Sequence, residues 1–246
     1  MREAVEQLLL PAECLLCRAL LSFRDSARLV CDVCRHRWRA VRPPWCARCG
    51  QPEPLFGRCR LCAEWPAAFG RVRSAIWLDT GARDAVHALK YGGLPRVATE
   101  LAAAMVGVEV PGLESAWLVP VPLGRARLRA RGYNQSERLA RALSRRWGRP
   151  VVELLVRTRD TAAQTALTPE ARLANVAGAF EMRNAECGMR NEGRPANSAL
   201  ERPLILVDDV FTTGATLAEA ARALDRAGAH TVSAVTFGRA VVPDFT

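Results

Sequence analysis

No stretch of the 246-residue chain approaches the run of about 20 apolar residues that a membrane-spanning helix needs. The one leucine run, Leu8-Leu9-Leu10, lies between acidic residues and Pro11. It lacks the basic start and the longer apolar stretch of a signal peptide. These absences set the expectation of a cytoplasmic protein with no membrane partner. Lysine is almost missing too: Lys90 is the only one, and arginine carries the rest of the basic side. Coding bias in a GC-rich genome explains arginine in place of lysine, but not the net charge of +10. Excess positive charge favours phosphate-bearing partners, either nucleic acid or a small polyphosphate.

What the chain has in excess is cysteine, concentrated at one end. Eight of nine cysteines form four C-x-x-C pairs: Cys14/Cys17, Cys31/Cys34, Cys46/Cys49 and Cys59/Cys62. A cytosolic protein keeps its thiols reduced, so the pairs point to metal rather than disulfides. C-x-x-C lets two sulfurs of one tight turn reach the same ion, and four thiolates bind Zn²⁺ tetrahedrally. Eight ligands make two closed Cys₄ sites, structural because no coordination position is left open. Sequential pairing gives Cys14, Cys17, Cys31 and Cys34 to one ion and Cys46, Cys49, Cys59 and Cys62 to the other; an interleaved pairing stays open. A redox C-x-x-C normally occurs once, at a helix start, and nothing around these pairs has that context. Gly50, directly after Cys49, suits the tight turn of a zinc knuckle. So small a region builds little core, and metal would supply its folding energy. The expected organisation is a double zinc ribbon over residues 1–66 and a second unit over 67–246. Cys187 stands alone and has no assigned role.

From residue 67 onward apolar strand-like runs alternate with amphipathic stretches. Strand candidates are 72–78, 116–121, 151–156, 203–207 and 231–237; helix candidates are 82–90, 96–106, 135–147, 169–174 and 215–227. Strands alternating with helices of this length predict an α/β fold, a parallel sheet with helices on both faces. Leu204-Ile205-Leu206-Val207 is apolar on both faces, as a central parallel strand should be. Residues 181–202, rich in Asn, Glu, Arg and Gly, read as a flexible surface insertion.

The segment after that strand carries the strongest chemical signal: Asp208-Asp209-Val210-Phe211-Thr212-Thr213-Gly214-Ala215-Thr216, then a helix. Hydroxyls, backbone donors and a positive helix end converge there on an anion. The two carboxylates beside them suit sugar hydroxyls, which are donors. Upstream, residues 119–135 read as a strand, a proline-rich turn and Arg125, Arg127, Arg129 and Arg131 in seven residues. Arginines there can hold pyrophosphate bidentately, contact DNA phosphates, or form a solvated basic loop. Gly132 permits close backbone approach, and Asn134 and Gln135 offer donors. Another basic stretch, Arg35, Arg37, Arg39 and Arg42 with Trp38 and Trp45, matches the pattern that stacks and neutralises single-stranded nucleic acid. The alternative is a solvated face whose tryptophans pack on the zinc knuckles. His36 reads as a member of this patch, and His87 and His230 as ordinary helix and turn residues.

The Asp208–Thr216 segment resembles the phosphoribosyl pyrophosphate signature of type I phosphoribosyltransferases. That resemblance implies that Asp208 and Asp209 hold the ribose hydroxyls, and that Thr212, Thr213, Gly214, Ala215 and Thr216 hold the 5′-phosphate. The order of four elements resembles the ComF family, proteins associated with natural competence and DNA uptake: the cysteine pairs, His87-Ala88-Leu89-Lys90-Tyr91-Gly92, residues 119–135 and residues 157–180, all ahead of the Asp208 segment. The resemblance implies pyrophosphate contacts from Lys90, Arg131, Gly132, Tyr133, Asn134 and Gln135, with Mg²⁺ neutralising the pyrophosphate. It places a mobile loop over residues 157–180. Two functions are compatible with it. One is a phosphoribosyl pyrophosphate-binding protein acting in DNA uptake, with single-stranded DNA and a helicase as partners. The other is an active phosphoribosyltransferase in nucleotide or related metabolism, with an acceptor for which the sequence shows no recognisable pocket.

Overall fold

The structure, a computed structural model, describes residues 12–22, 25–52, 59, 61–160, 175–183 and 199–240. The expected helix at 169–174, Cys187 and most of the 181–202 insertion lie outside those residues.

Four strands form one parallel sheet: β1 (Phe69–Trp77), β2 (Trp117–Pro120), β5 (Leu204–Phe211) and β6 (Val232–Arg239). Their order is β1-β6-β5-β2, every pair parallel. β5 and β6 are central and almost wholly buried, and the first half of β5, Leu204–Val207, is accordingly apolar on both faces. Alternate residues serve two cores. Ile205, Val207, Val235 and Phe237 face helices α2 (Thr80–Tyr91), α3 (Val97–Met105) and α5 (Gln135–Trp147). Leu204, Leu206, Val232 and Ala234 face helix α6 (Ala215–Arg226).

The segment expected as a strand at 151–156 departs from the sheet. Val151 makes one parallel bridge with Leu118. Val152, Leu154 and Leu155 then bury themselves in the α6-side core. Leu155–Arg157 forms β3, which pairs antiparallel with β4 (Phe180–Met182) in a separate ribbon. Tertiary burial, not sheet pairing, satisfies this apolar run.

The cysteine-rich segment covers the outer edge of β1. Val41 N donates to Ala75 O at 2.9 Å, Trp77 N to Arg39 O at 2.8 Å and Val72 N to Arg48 O at 2.8 Å. An edge strand that would otherwise expose its backbone is thereby paired. The short helix α1 (Asp32–His36) belongs to the first cysteine half, which packs on α3: Leu29 N donates to a Glu100 carboxylate oxygen at 3.1 Å. Among the described residues no helix is long and apolar enough to cross a membrane.

Candidate functional site

The eight cysteines gather into two tetrads, Cys14, Cys17, Cys31 and Cys34, and Cys46, Cys49, Cys59 and Cys62. The grouping is the sequential one. Within each tetrad all ligand atoms lie within 4.8 Å of one another. Four sulfurs bound at about 2.3 Å to one tetrahedral ion sit about 3.8 Å apart. The observed Sγ–Sγ separations are 3.7 Å for Cys17 and Cys31, 3.7 Å for Cys46 and Cys62, and 3.5 Å for Cys49 and Cys59. Backbone amides donate to the sulfurs, Cys31 N to Cys14 at 3.3 Å and Gln51 N to Cys49 at 3.4 Å. Burial works against the Cys14 thiolate, but such amides outweigh it and draw its pKa down to about 6. Burial and the charge of Cys59 push the Cys62 thiol up to about 12. Without a cation the thiols of a tetrad oppose one another's ionisation; a dication removes that conflict. The two tetrads fit two structural zinc ions. Gly50 takes the left-handed conformation, φ +69°, that the knuckle turn requires.

A cavity of about 450 Å³ opens at the carboxyl ends of the central strands, where open α/β sheets bind ligands. Asp208 and Asp209, near the end of β5, form its floor and are both buried. Ser136 Oγ donates to Asp208 Oδ1 at 2.8 Å, and the Asp209 amide donates to the same oxygen at 2.9 Å. Lys90 Nζ lies 2.6 Å from Asp209 Oδ2. Burial, and after it the charge of Asp209, raise the Asp208 pKa to about 7, against the lowering pull of Lys90 and Ser136. Burial also opposes the Lys90 ammonium, but Asp209 outweighs it and raises its pKa. The floor is thus a carboxylate pair carrying one cation, with one acid poised to titrate near neutrality.

One wall is helix α4 (Arg125–Arg131), where the sequence suggested a loop. Helical spacing sorts the four arginines: Arg127 and Arg131 line the cavity, while Arg125 and Arg129 are exposed. Arg131 donates to Gln135 Oε1 and lies over the Tyr91 ring, 5.3 Å from its centroid. Gln135 also lines the cavity. Gly132, Tyr133 and Asn134 are not among the lining residues; they build the wall. Gly132 ends α4 in a left-handed conformation, the buried Tyr133 hydroxyl donates to Leu89 O, and Asn134 caps α5 through Ser136 N while its amide donates to Val121 O at 3.0 Å. Arg157, from β3, also lines the cavity; burial and nearby Arg127 lower its pKa.

The Thr212–Thr216 segment turns from β5 into α6, and Thr212, Gly214, Ala215 and Thr216 line the cavity. Thr213 is buried, its Oγ1 accepting from Ala215 N at 3.5 Å. Gly214 has φ +79°, and a Cβ built on it would lie 2.8 Å from a Phe211 ring carbon and 2.9 Å from one of Trp65. Only glycine fits that turn. The N-cap residue Gly214 has no side chain to cap α6, and the positive end of the helix faces the cavity.

The comparisons agree with this architecture. A family model described as a double zinc ribbon domain matches residues 5–64. The chain is 30% identical over 240 residues to the DNA utilization protein YhgH of Escherichia coli O6:H1, covering 92% of this chain and 96% of that one. The chain belongs to the ComF family. It is also 27% identical over 248 residues to competence protein ComFC of Bacillus subtilis, covering 92% of this chain and 94% of that one. Competence protein F of Haemophilus influenzae is 33% identical over 124 residues, half of each chain.

In this ComF-family chain the basic aromatic stretch after Cys34 is not a stacking platform. Trp38 is buried, edge-on to Phe237 with centroids 5.1 Å apart, and Arg73 lies over Trp45 at 5.3 Å. Arg35 and Arg39 face Glu100 at 3.6 Å and Asp79 at 3.5 Å. Arg37 and Arg42 are exposed. Sequence reasoning gave no site role to Ser136, Arg83 or His87, which line the cavity, nor to Trp65, which touches its loop. Ser136 directly follows the Asn134-Gln135 stretch, and His87 lies one helical turn before the tyrosine of the Lys90-Tyr91 pair. Neither signal says which face of its helix is turned to the site.

Proposed function

We propose that the cavity binds phosphoribosyl pyrophosphate, and that residues 67–246 form the unit that does so while residues 1–66 form the metal module. The observation that carries this reading is the convergence of Asp208, Asp209, Lys90, Arg131 and the Thr212–Thr216 loop on one cavity. Asp208 and Asp209 would accept hydrogen bonds from the ribose hydroxyls. The loop hydroxyls and the α6 amides would hold the 5′-phosphate. Lys90, Arg127, Arg131 and Arg157 would surround the pyrophosphate. Mg²⁺, when bound, would neutralise part of that charge. Tyr133 and Asn134 would act indirectly, by fixing α4 against α2 and α5.

The names of the relatives suggest that this binding serves DNA utilisation or competence, and we place this chain in that role. Arg125 and Arg129, turned away from the cavity, are the α4 arginines available to a nucleic acid. If both contact single-stranded DNA, replacing them with alanine should flatten the salt dependence of binding by about 1.4 log units per log unit of salt. A second reading, transfer of the phosphoribosyl group to an acceptor, is favoured by the cations gathered where departing pyrophosphate would build charge.

Calorimetric titration with phosphoribosyl pyrophosphate and Mg²⁺ tests the binding. Removing both carboxylates, Asp208→Ala with Asp209→Ala, deletes hydrogen bonds worth about 1.5–3 kcal/mol each and should weaken binding at least about tenfold. Equal affinity for wild type and double variant would sink the assignment. Acceptor-dependent release of pyrophosphate would establish the transfer reading.

A further inference from the structure

The second cysteine tetrad and the Thr212–Thr216 loop are joined by three buried side chains. Trp65, three residues beyond Cys62, packs on Phe69 with centroids 4.6 Å apart and edge-on to Phe211 at 6.2 Å. Trp65 and Phe211 both crowd the space where Gly214 would carry a Cβ, at 2.9 and 2.8 Å. They are the surface on which the loop rests. Arg239, fully buried at the end of β6, lies over Phe211 with its guanidinium carbon 4.4 Å from the ring centroid. Its two terminal nitrogens donate to Cys49 O at 2.8 Å and Gln51 Oε1 at 2.7 Å.

Four thiolates around a dication leave the cluster net negative, and a buried arginine beside it is compensated there. Arg48 ties the same ribbon down, donating to Cys62 O at 2.9 Å and Pro66 O at 2.8 Å on either side of Trp65. Among the described residues the first tetrad has no comparable route. Cys14 and Cys34 belong to the core on the other face of the sheet, whereas Cys49, Cys62, Trp65 and Phe211 share one core.

We propose that the ribbon built on the second tetrad, acting through Trp65, Phe211 and Arg239, sets the conformation of the Thr212–Thr216 loop and with it how firmly the loop holds a phosphate. Trp65 and Arg239 are positioning residues. The ligand half of this inference rests on the phosphoribosyl pyrophosphate reading; the mechanical half does not.

The test uses the full chain as wild type, Trp65→Phe and Trp65→Ala, with zinc content measured in each. Amide hydrogen exchange is read at residues 211–217, and ribose 5-phosphate is titrated by calorimetry. With two zinc ions still bound, Trp65→Ala should exchange the loop amides about tenfold faster or more, while amides of α3 are unchanged. Ribose 5-phosphate affinity should fall about tenfold, and Trp65→Phe should restore it to within about threefold. Should Trp65→Ala fail to fold, Trp65→Leu, which keeps the core filled, gives the same reading. Unchanged loop exchange in a variant that holds both zinc ions overturns the coupling. If the wild type binds no ribose 5-phosphate yet loop exchange still responds to Trp65, the ligand reading falls and the coupling stands.

Discussion

The cysteine module and the cavity are built on opposite plans. In the module the ligands of each pair are three residues apart, so local chain geometry brings their thiols together. In the cavity the partners come from distant segments: Ser136 reaches Asp208 and Lys90 reaches Asp209 only because helices α5 and α2 pack on the same face of β5. Each tetrad is a closed set of four sulfurs. The cavity is open, and its buried acid pair is held by Lys90, Ser136 and a backbone amide. The difference teaches that one region is assembled by ligand spacing along the chain and the other by tertiary packing, with Trp65 among the side chains that join them.

The largest expected effect breaks the module. Cys49→Ser removes one thiolate of the second tetrad and should leave one zinc per chain. Structural zinc supplies about 10–16 kcal/mol in small modules, and a loss of even about 4 kcal/mol of that would lower Tm by about 10 °C or more. A variant that keeps two zinc ions and the wild-type Tm would show that the tetrad does not stabilise the fold.

Gly214→Ala acts where the two regions meet. A Cβ there meets two rings below 3 Å and requires a left-handed backbone. Phosphoribosyl pyrophosphate affinity should fall about tenfold or more, with zinc content unchanged. Undiminished calorimetric binding would contradict the account of the loop.

Asp208→Asn sharpens the contrast through pH. The folded pKa of about 7 lies above the unfolded carboxylate value, so the folded state holds its proton more tightly. The stability this confers is present at low pH and is lost as pH rises toward 7, by at most about 1.4 kcal/mol per unit. Asparagine escapes that loss. The variant should therefore be more heat-stable than wild type at pH 8 and lose most of that advantage by pH 5, while binding ligand worse. A Tm difference that is flat with pH would contradict the buried-acid assignment.

The smallest effect belongs to Tyr133→Phe. It deletes the bond to Leu89 O, worth about 1 kcal/mol, or about 2–4 °C of Tm. Affinity should stay within about twofold if Tyr133 is a wall residue; a large loss would make it a ligand contact.

The parts legible in the sequence were those written contiguously. The C-x-x-C pairs announced both tetrads, and the Asp208–Thr216 segment announced the floor and loop, because spacing along the chain fixes geometry over a few residues. The central strand β5 was legible because burial on both faces leaves the unbroken apolar run Leu204–Val207. The 151–156 run misled for the same reason: an apolar run reports burial, and Leu154 and Leu155 are buried under α6 rather than in the sheet. Trp38 and Trp45 resembled a stacking surface because sequence cannot tell a tryptophan packed on Phe237 or under Arg73 from one facing solvent. Ser136 and Trp65 were invisible as site residues because their roles depend on partners some 70 and 150 positions away.

The most direct measurement is a crystal structure of the full chain with phosphoribosyl pyrophosphate and Mg²⁺. The account predicts ribose hydroxyls within hydrogen-bond distance of Asp208 and Asp209, the 5′-phosphate at the N-terminus of α6 against Thr212–Thr216, and the pyrophosphate facing Lys90 and Arg131. Ligand density elsewhere, or a cavity left empty at saturating ligand, would contradict it.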